Sequence, residues 1–375
     1  MLVGIFYIAA FMLLYAYALY PIVLMALGTQ SRARDERDGS TSGADAPAIS
    51  VIVAAYNEEE CIKNKIKNFL ECRYAGIAEM IVVSDGSTDK TAEIANSMAG
   101  ERVRVIARDS RAGKGAAVNA GADAARGEVI VFTDANTMFA ADALSELVLP
   151  LRDKSIGLVT GVSRYSDGTI GSAYQRYEQW LKGLESRLGV VATADGAIYA
   201  MRRNLFKEMD PALINDFMHP IMASLQNAQS VMARDAVCFE EFSSAGEFAR
   251  QVRMVSQAAA VYFRFLPELI RNGCWLSILV LTSHKMLRWL TAPILGIAIV
   301  ATLALAHRGG IYRIAFDAEI LFAIVAGLGL YARRRGLEGK LTFAYQFVAL
   351  NCAQAVGLWR CFSGEVPVVW KPRNL

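Results

Sequence analysis

The chain has 375 residues, is 54% hydrophobic and carries a formal net charge of +3. That length accommodates one sizeable domain with further elements, and that apolar content excludes a wholly water-soluble chain. The small net charge, without Lys/Arg clusters interleaved with aromatics, argues against nucleic acid as a partner.

Residues 3–27 carry no charge. At ~1.5 Å rise per residue such a helix exceeds the ~30 Å hydrocarbon core, and no basic region precedes it, so residues 1–28 are predicted to be an uncleaved anchor. Arg32 and Arg34 follow, which by the positive-inside bias puts the next segment in the cytoplasm. Residues 29–47, rich in Ser, Gly, Asp and Arg without periodicity, read as a flexible linker. The pattern then changes. A β run at 49–54 closes in Ala55-Tyr56-Asn57-Glu58, and 58–71 has helical spacing through Ile62, Ile66, Phe69 and Leu70. A strand at 80–83, the turn Ser84-Asp85-Gly86-Ser87-Thr88-Asp89 and a helix to about 98 come next. After them come a strand at 103–107, a helix at 114–124 and a strand at 128–134. Strands alternating with helices predict a parallel α/β sheet with βαβ crossovers.

Ligands of such sheets bind where strands end and loops begin, so Tyr56-Asn57-Glu58, Asp85 and Asp134 are expected to share one edge. The last strand delivers Asp134-Ala135-Asn136, oxygen ligands suited to a nucleotide and a divalent metal, although a plain strand-end turn uses the same residues. Ser87 or Thr88 can cap the following helix, and Asp85 can accept from a base or ribose. Arg108, Arg111 and Lys114, with Gly113 and Gly115, suit a diphosphate or form a solvated basic loop. Six cysteines without a C-x-x-C and three scattered histidines give no disulfide frame, zinc site or Ser-His-Asp triad.

Val53-Ala54-Ala55-Tyr56-Asn57-Glu58, Val83-Ser84-Asp85-Gly86-Ser87-Thr88-Asp89, Gly113-Lys114-Gly115-Ala116-Ala117-Val118-Asn119-Ala120-Gly121 and Asp134-Ala135-Asn136 stand in that order. Together they resemble the nucleotide-sugar half of the family-two inverting glycosyltransferases with a GT-A fold. The resemblance implies an α/β, Rossmann-like domain over 48–243. It also implies a UDP-sugar donor held by Ala54, Tyr56, Glu58, Asp85, Lys114 and Asp134, with Mg²⁺ or Mn²⁺ at Asp134 and Asn136. Asp85 would recognise the uridine end. Asn136 stands where the family's D-x-D motif has its second Asp, so that position brings an uncharged oxygen.

Residues 158–162 are predicted as a strand and 172–188 as a helix with Tyr174, Tyr177, Trp180 and Glu185. Asp195-Gly196-Ala197-Ile198-Tyr199-Ala200-Met201-Arg202-Arg203 resembles the family's acceptor-site floor, which makes Asp195 and Gly196 acceptor-side residues. Asp216 stands where the family has an acidic turn and is the candidate base, because an acceptor hydroxyl must lose a proton as the new C–O bond forms. A helix N-cap is the plainer role for the same residue. Arg253 matches the arginine of the processive members' Q-x-x-R-W, implying a diphosphate contact, but Arg250 and Met254 replace the Gln and Trp. Residues 244–273 also suit an interfacial amphipathic helix through Val252, Val255, Ala259 and Phe263.

Residues 274–362 are predicted to hold about three spans. The first two cover 290–306 and 314–332, with Trp289 as an interfacial belt residue and Arg333-Arg334-Arg335 and Lys340 on the inner face. The third covers 343–358, where Gln346, Asn351 and Gln354 are expected to face helices or a cavity. A dipping segment instead of a third span would return Trp370-Lys371-Pro372-Arg373, in the tail 363–375, to the cytoplasm. The resemblance thus implies a multi-pass inner-membrane enzyme with a cytoplasmic catalytic domain, a polysaccharide or lipid-linked acceptor and accessory membrane subunits. Single-sugar transfer to a lipid carrier and a catalytically silent assembly protein are the alternatives.

Overall fold

The computed structural model describes residues 1–28, 46–165, 172–241, 246–337 and 342–366, and the side chains of 172–174 are not described. Residues 29–45 of the predicted linker, with Arg32 and Arg34, the Tyr174 side chain, Lys340 and the tail from 367 lie outside the described residues. The chain divides into two units.

The larger unit comprises Leu24–Ala245 with Ala260–Val280. Its strands are β1 (Ile49–Ala55), β2 (Ala78–Asp85), β3 (Val103–Arg108), β4 (Val129–Asp134), β5 (Thr137–Phe139), β6 (Ile156–Tyr165), β7 (Tyr199–Arg202) and β8 (Gln229–Glu240). They form one eight-stranded sheet in the order β3-β2-β1-β4-β7-β6-β8-β5. The first four pair in parallel, as the alternation of strand and helix predicts. In the centre, β1 puts Ala54 opposite Val83 on one side and Asp134 on the other. Helices cover both faces of a parallel sheet, which is why these strands are apolar along their length rather than at alternate positions. Ile49, Val51, Ile52 and Val53 are all buried.

The sheet turns antiparallel at β7, which pairs with β4 and β6. The short strands β5 and β7 carry too few residues to show a period of their own. The helix Ile62–Glu71 starts later than predicted and buries Ile62, Lys65, Ile66 and Phe69. Leu70 falls off that stripe and is exposed, and a lysine takes a core position. The helix Lys114–Ala124 forms as predicted and packs tightly on β1, since a Cβ on Gly121 would come within 2.6 Å of Ile52.

The other unit comprises Met1–Val23, Gly246–Ala259 and Leu281–Val366. Among the described residues three helices are long and apolar enough to cross a membrane: Leu2–Gly28, Thr291–Arg308 and Gly310–Arg334. The predicted third C-terminal segment forms a helix, Thr342–Phe362, outside that set. Asn351 and Gln354 are buried as expected, with Tyr17 donating to Asn351 Oδ1 at 3.5 Å, whereas Gln346 is exposed. Trp289 is buried within the unit instead of standing outward as a belt residue. The amphipathic helix spans Glu247–Arg271 and buries Val252, Val255 and Ala259.

Candidate active site

The C-terminal ends of β1, β2 and β4 bring three loops to one edge. Those after β1 and β2 lock together. Asn57, at φ 54°, donates from Nδ2 to Thr88 Oγ1 at 3.2 Å and accepts from the Thr88 amide at 2.9 Å. The Glu58 amide donates to Thr91 Oγ1 at 2.8 Å. Thr88 is thereby committed to Asn57 and does not cap the next helix. The cap position is Lys90, without a side-chain cap bond, and Asp89 just ahead of it accepts from the Thr91 amide at 2.9 Å.

Asp85 is fully buried, and its carboxylate binds inward. It accepts from the Ala112 and Gly113 amides at 3.1 and 2.7 Å and lies 3.2 Å from Arg108 Nε. A carboxylate that accepts several N–H bonds fixes the backbone that supplies them, so Asp85 shapes the 108–113 loop. Gly86, at φ 65°, permits the approach, since a Cβ there would stand 2.5 Å from the Arg111 amide. The loop carries Arg111 over the Tyr56 ring, 3.5 Å from its centroid.

Lys114 opens its helix directly after Gly113 and reaches Asp134, with Nζ 2.6 Å from Oδ1. The rest of that motif holds another segment in place. Gly115 lets Pro211 approach, where a Cβ would be 2.8 Å from the Pro211 Cα. Asn119 bonds the Met209 carbonyl and amide at 2.7 and 3.0 Å. Residues 209–211 lead into the helix Asn215–Leu225, whose N-cap is Ile214 and whose first turn contains Asp216. Asp216 is therefore not the cap. Desolvation pushes its carboxyl above the usual carboxylate range; Asp134 and Asp195 add to the rise, while Lys114 and Lys182 oppose it.

Asp195 anchors its loop to β6, accepting from the Ser163 amide and hydroxyl at 3.0 and 2.8 Å. Gly196 lies against Asp216, and a Cβ on it would stand 3.0 Å from Asp216 Oδ2. Gly196→Ala is expected to displace that carboxylate and lower kcat about tenfold, because the reaction depends on sub-ångström placement. Steady-state kinetics of the variant checks this, and an unchanged kcat contradicts it.

Behind Asp216 lies a network that the motifs did not reveal. Asn215 Nδ2 donates to the Tyr199 hydroxyl at 2.5 Å, and that hydroxyl stands 2.9 Å from His219 Nδ1. The Tyr199 ring stacks on Phe132 of β4, with centroids 4.7 Å apart, so the helix that carries Asp216 is tied to the strand that carries Asp134. Burial lowers the His219 pKa to about 3, leaving a neutral imidazole. The second unpredicted residue is Lys65, fully buried beneath the Asp134–Asn136 turn. Burial lowers its pKa to about 8, and the Asp134 charge acts in the opposite sense. The thiols of Cys61, Cys72 and Cys238 are pushed up by their own burial and stay neutral, so Asp134 is the anion this ammonium senses. The available signal was a lysine on the apolar stripe of an amphipathic helix.

Among the described residues no group of three or more His, Cys, Asp or Glu side chains could hold a metal by itself. Asp134 and Asn136 are both half-buried, and the Asn136 carboxamide has no partner among the described residues. One carboxylate and one neutral oxygen fit a divalent ion that takes its remaining ligands from a bound diphosphate and water. Arg253 lies on the helix Glu247–Arg271 in the part counted with the membrane-type unit, and Arg250 there pairs with Glu247 at 2.8 Å.

Residues 50–209 match the family model described as Glycosyl transferase family 2. "Probable glycosyltransferase YdaM" of Bacillus subtilis is 31% identical over 188 residues, 45% of each chain. The beta-monoglucosyldiacylglycerol synthase of Nostoc sp. is 35% identical over 118 residues, 30% of this chain and 25% of its own. These curated relatives are matched over less than half of their length. The mannosyltransferase PcManGT from Pyrobaculum calidifontis, solved in complex with GDP-Man and Mn²⁺, superposes with a TM-score of 0.70 at 20% identity. The superposition covers 96% of this chain and 99% of that one. With the motif residues gathered on one sheet edge, residues 50–209 form a Glycosyl transferase family 2 domain in an α/β, GT-A-like fold.

Proposed function

We propose that the chain is an inverting, hexosyl-type transferase that moves a sugar from a UDP-sugar onto a hydroxyl of a polysaccharide or lipid-linked acceptor. The setting is cell-envelope or exopolysaccharide synthesis at the inner membrane, with the catalytic domain cytoplasmic. The observation that carries this reading is the Lys114–Asp134 pair at the edge where Asp216 stands with a raised proton affinity. Asp216 takes the proton of the acceptor hydroxyl as its oxygen bonds to the anomeric carbon. The diphosphate leaves from the opposite face, so configuration inverts. Lys114 offsets the charge growing on the departing diphosphate, and Arg253 does so by its match to the family arginine. A divalent ion held by Asp134 and Asn136 would supply further charge neutralisation there. Tyr56, Glu58 and Ala54 line the nucleotide side of that edge, while Asp195 and Gly196 form the acceptor side.

Non-processive single-sugar transfer to a lipid carrier is the second reading. Met254 replaces the aromatic of the processive motif, and the name of the Nostoc relative describes glucosyl transfer to a diacylglycerol. Product length separates the two. The test is nucleotide release by detergent-purified full-length protein with Mg²⁺ or Mn²⁺, across UDP-sugars and GDP-mannose, with and without lipid extract as acceptor. Metal-dependent release from one UDP-sugar is expected. Release from GDP-mannose alone overturns the donor assignment, and no release from any donor with acceptor present overturns the transferase reading.

A further inference from the structure

Lys65 has no part in the chemistry above, yet its ammonium reaches both flanks of the turn that carries Asp134. Nζ donates to Thr133 Oγ1 at 2.8 Å, to the Thr137 carbonyl at 2.8 Å and to Thr137 Oγ1 at 3.3 Å. It also lies 3.8 Å from the centroid of the Phe139 ring. An ammonium has three donors and no acceptor, and these three neutral oxygens match that count. No carboxylate lies within ion-pair distance of Lys65 among the described residues.

The two threonines pass this grip outward. The Thr137 hydroxyl donates to the Asp134 carbonyl at 3.0 Å, closing the turn on itself. The Thr133 hydroxyl donates to the Ala197 carbonyl at 2.7 Å, and Ala197 is the neighbour of Gly196, which abuts Asp216. One buried cation therefore joins the donor-side turn to the loop against the base. Burying a cation is costly, and a methionine would fill the same space without that cost. The function of the charge is therefore to be sought in what it orders.

We infer that Lys65 is a positioning residue, which through Thr133 and Thr137 holds the Asp134–Asn136 turn and the Asp195–Ala197 loop in fixed register. Donor-side and acceptor-side groups then face one reacting centre. The catalytic consequence rests on the proposed transfer reaction, and the structural one does not.

The experiment compares full-length parent, Lys65→Met, Thr137→Val and Thr137→Ser in detergent. Amide hydrogen exchange is read without ligand, and donor kinetics are then measured with Mn²⁺. Lys65→Met is expected to speed exchange at residues 134–137 and 195–197 while β1 and β2 stay as in the parent. Its kcat should fall about tenfold or more with a smaller change in donor KM. Thr137→Val should show the same changes in weaker form, and Thr137→Ser, which keeps the hydroxyl, should restore parental behaviour. Parental exchange at 134–137 in Lys65→Met overturns the inference, as does a loss spread evenly over the whole sheet. If Lys65→Met does not fold, Thr137→Val decides, and parental exchange and kcat in that variant overturn it. A parent that releases no nucleotide overturns the proposed function, while the exchange contrast still decides the role of Lys65.

Discussion

Asp216→Asn is expected to lower kcat by about 10²–10⁴-fold, the span observed when a positioned general base is lost. The amide has nearly the same size, and the Asp216 main-chain carbonyl that accepts from the Ala194 amide at 2.8 Å is untouched, so the fold should persist. The pH dependence gives a second check. In the proposed reaction Asp216 works ionised, and burial with nearby Asp134 and Asp195 raises the pH at which it ionises. Activity should therefore rise with pH through an apparent pKa above that of an ordinary Asp. That acid limb should vanish in the residual activity of Asp216→Asn. A variant with parental kcat places the base elsewhere on the edge, and a limb that persists unchanged in the variant assigns it to another group.

Asp134→Ala carries the second large effect, an expected loss of about 10²–10³-fold in kcat/KM, typical of removing a preorganised charge at a reacting centre. The variant removes a partner of Lys114 Nζ at 2.6 Å and the carboxylate proposed to touch a divalent ion. Turnover should consequently lose its response to added Mn²⁺. Titrating Mn²⁺ against nucleotide release in parent and variant checks this. Metal stimulation that survives in Asp134→Ala would mean that the ion is held by the substrate and other residues alone. The variant also separates the two roles of Lys114, because an ammonium freed from Asp134 can still meet the diphosphate. A donor KM that falls while kcat collapses would show that.

The nucleotide half of the site was legible in the sequence because each part is local. A strand, a turn with Gly and Asp, and a helix start are patterns only a few residues long, and the strand–helix alternation places their ends on one edge. Asp85 shows where local reading falls short. Its position was right, but its partners lie at Ala112 and Gly113 and bury it completely, a fact no motif states. Asp216 shows the converse. A cap was the plain expectation, but Ile214 takes the cap position, the helix starts at Asn215, and the carboxylate stands in the first turn, facing Gly196.

Composition revealed the three helices long and apolar enough to cross a membrane, since a long apolar run needs no partner to be recognised. The burial of Trp289 and the exposure of Gln346 were not visible, because which side of a helix is covered depends on its neighbours.

By itself the sequence determined the α/β class, the strands β1 to β4, the edge on which Asp85, Lys114 and Asp134 meet, and the presence of membrane-length helices. Hydrophobic period and turn chemistry act within a few residues, so they are written along the chain. Only the tertiary structure decided the antiparallel entry of β7 between β4 and β6, the Tyr199–Asn215–His219 network behind Asp216, and the grip of Lys65 on Thr133 and Thr137. Those contacts join residues far apart in sequence, and the order in which strands assemble sets them.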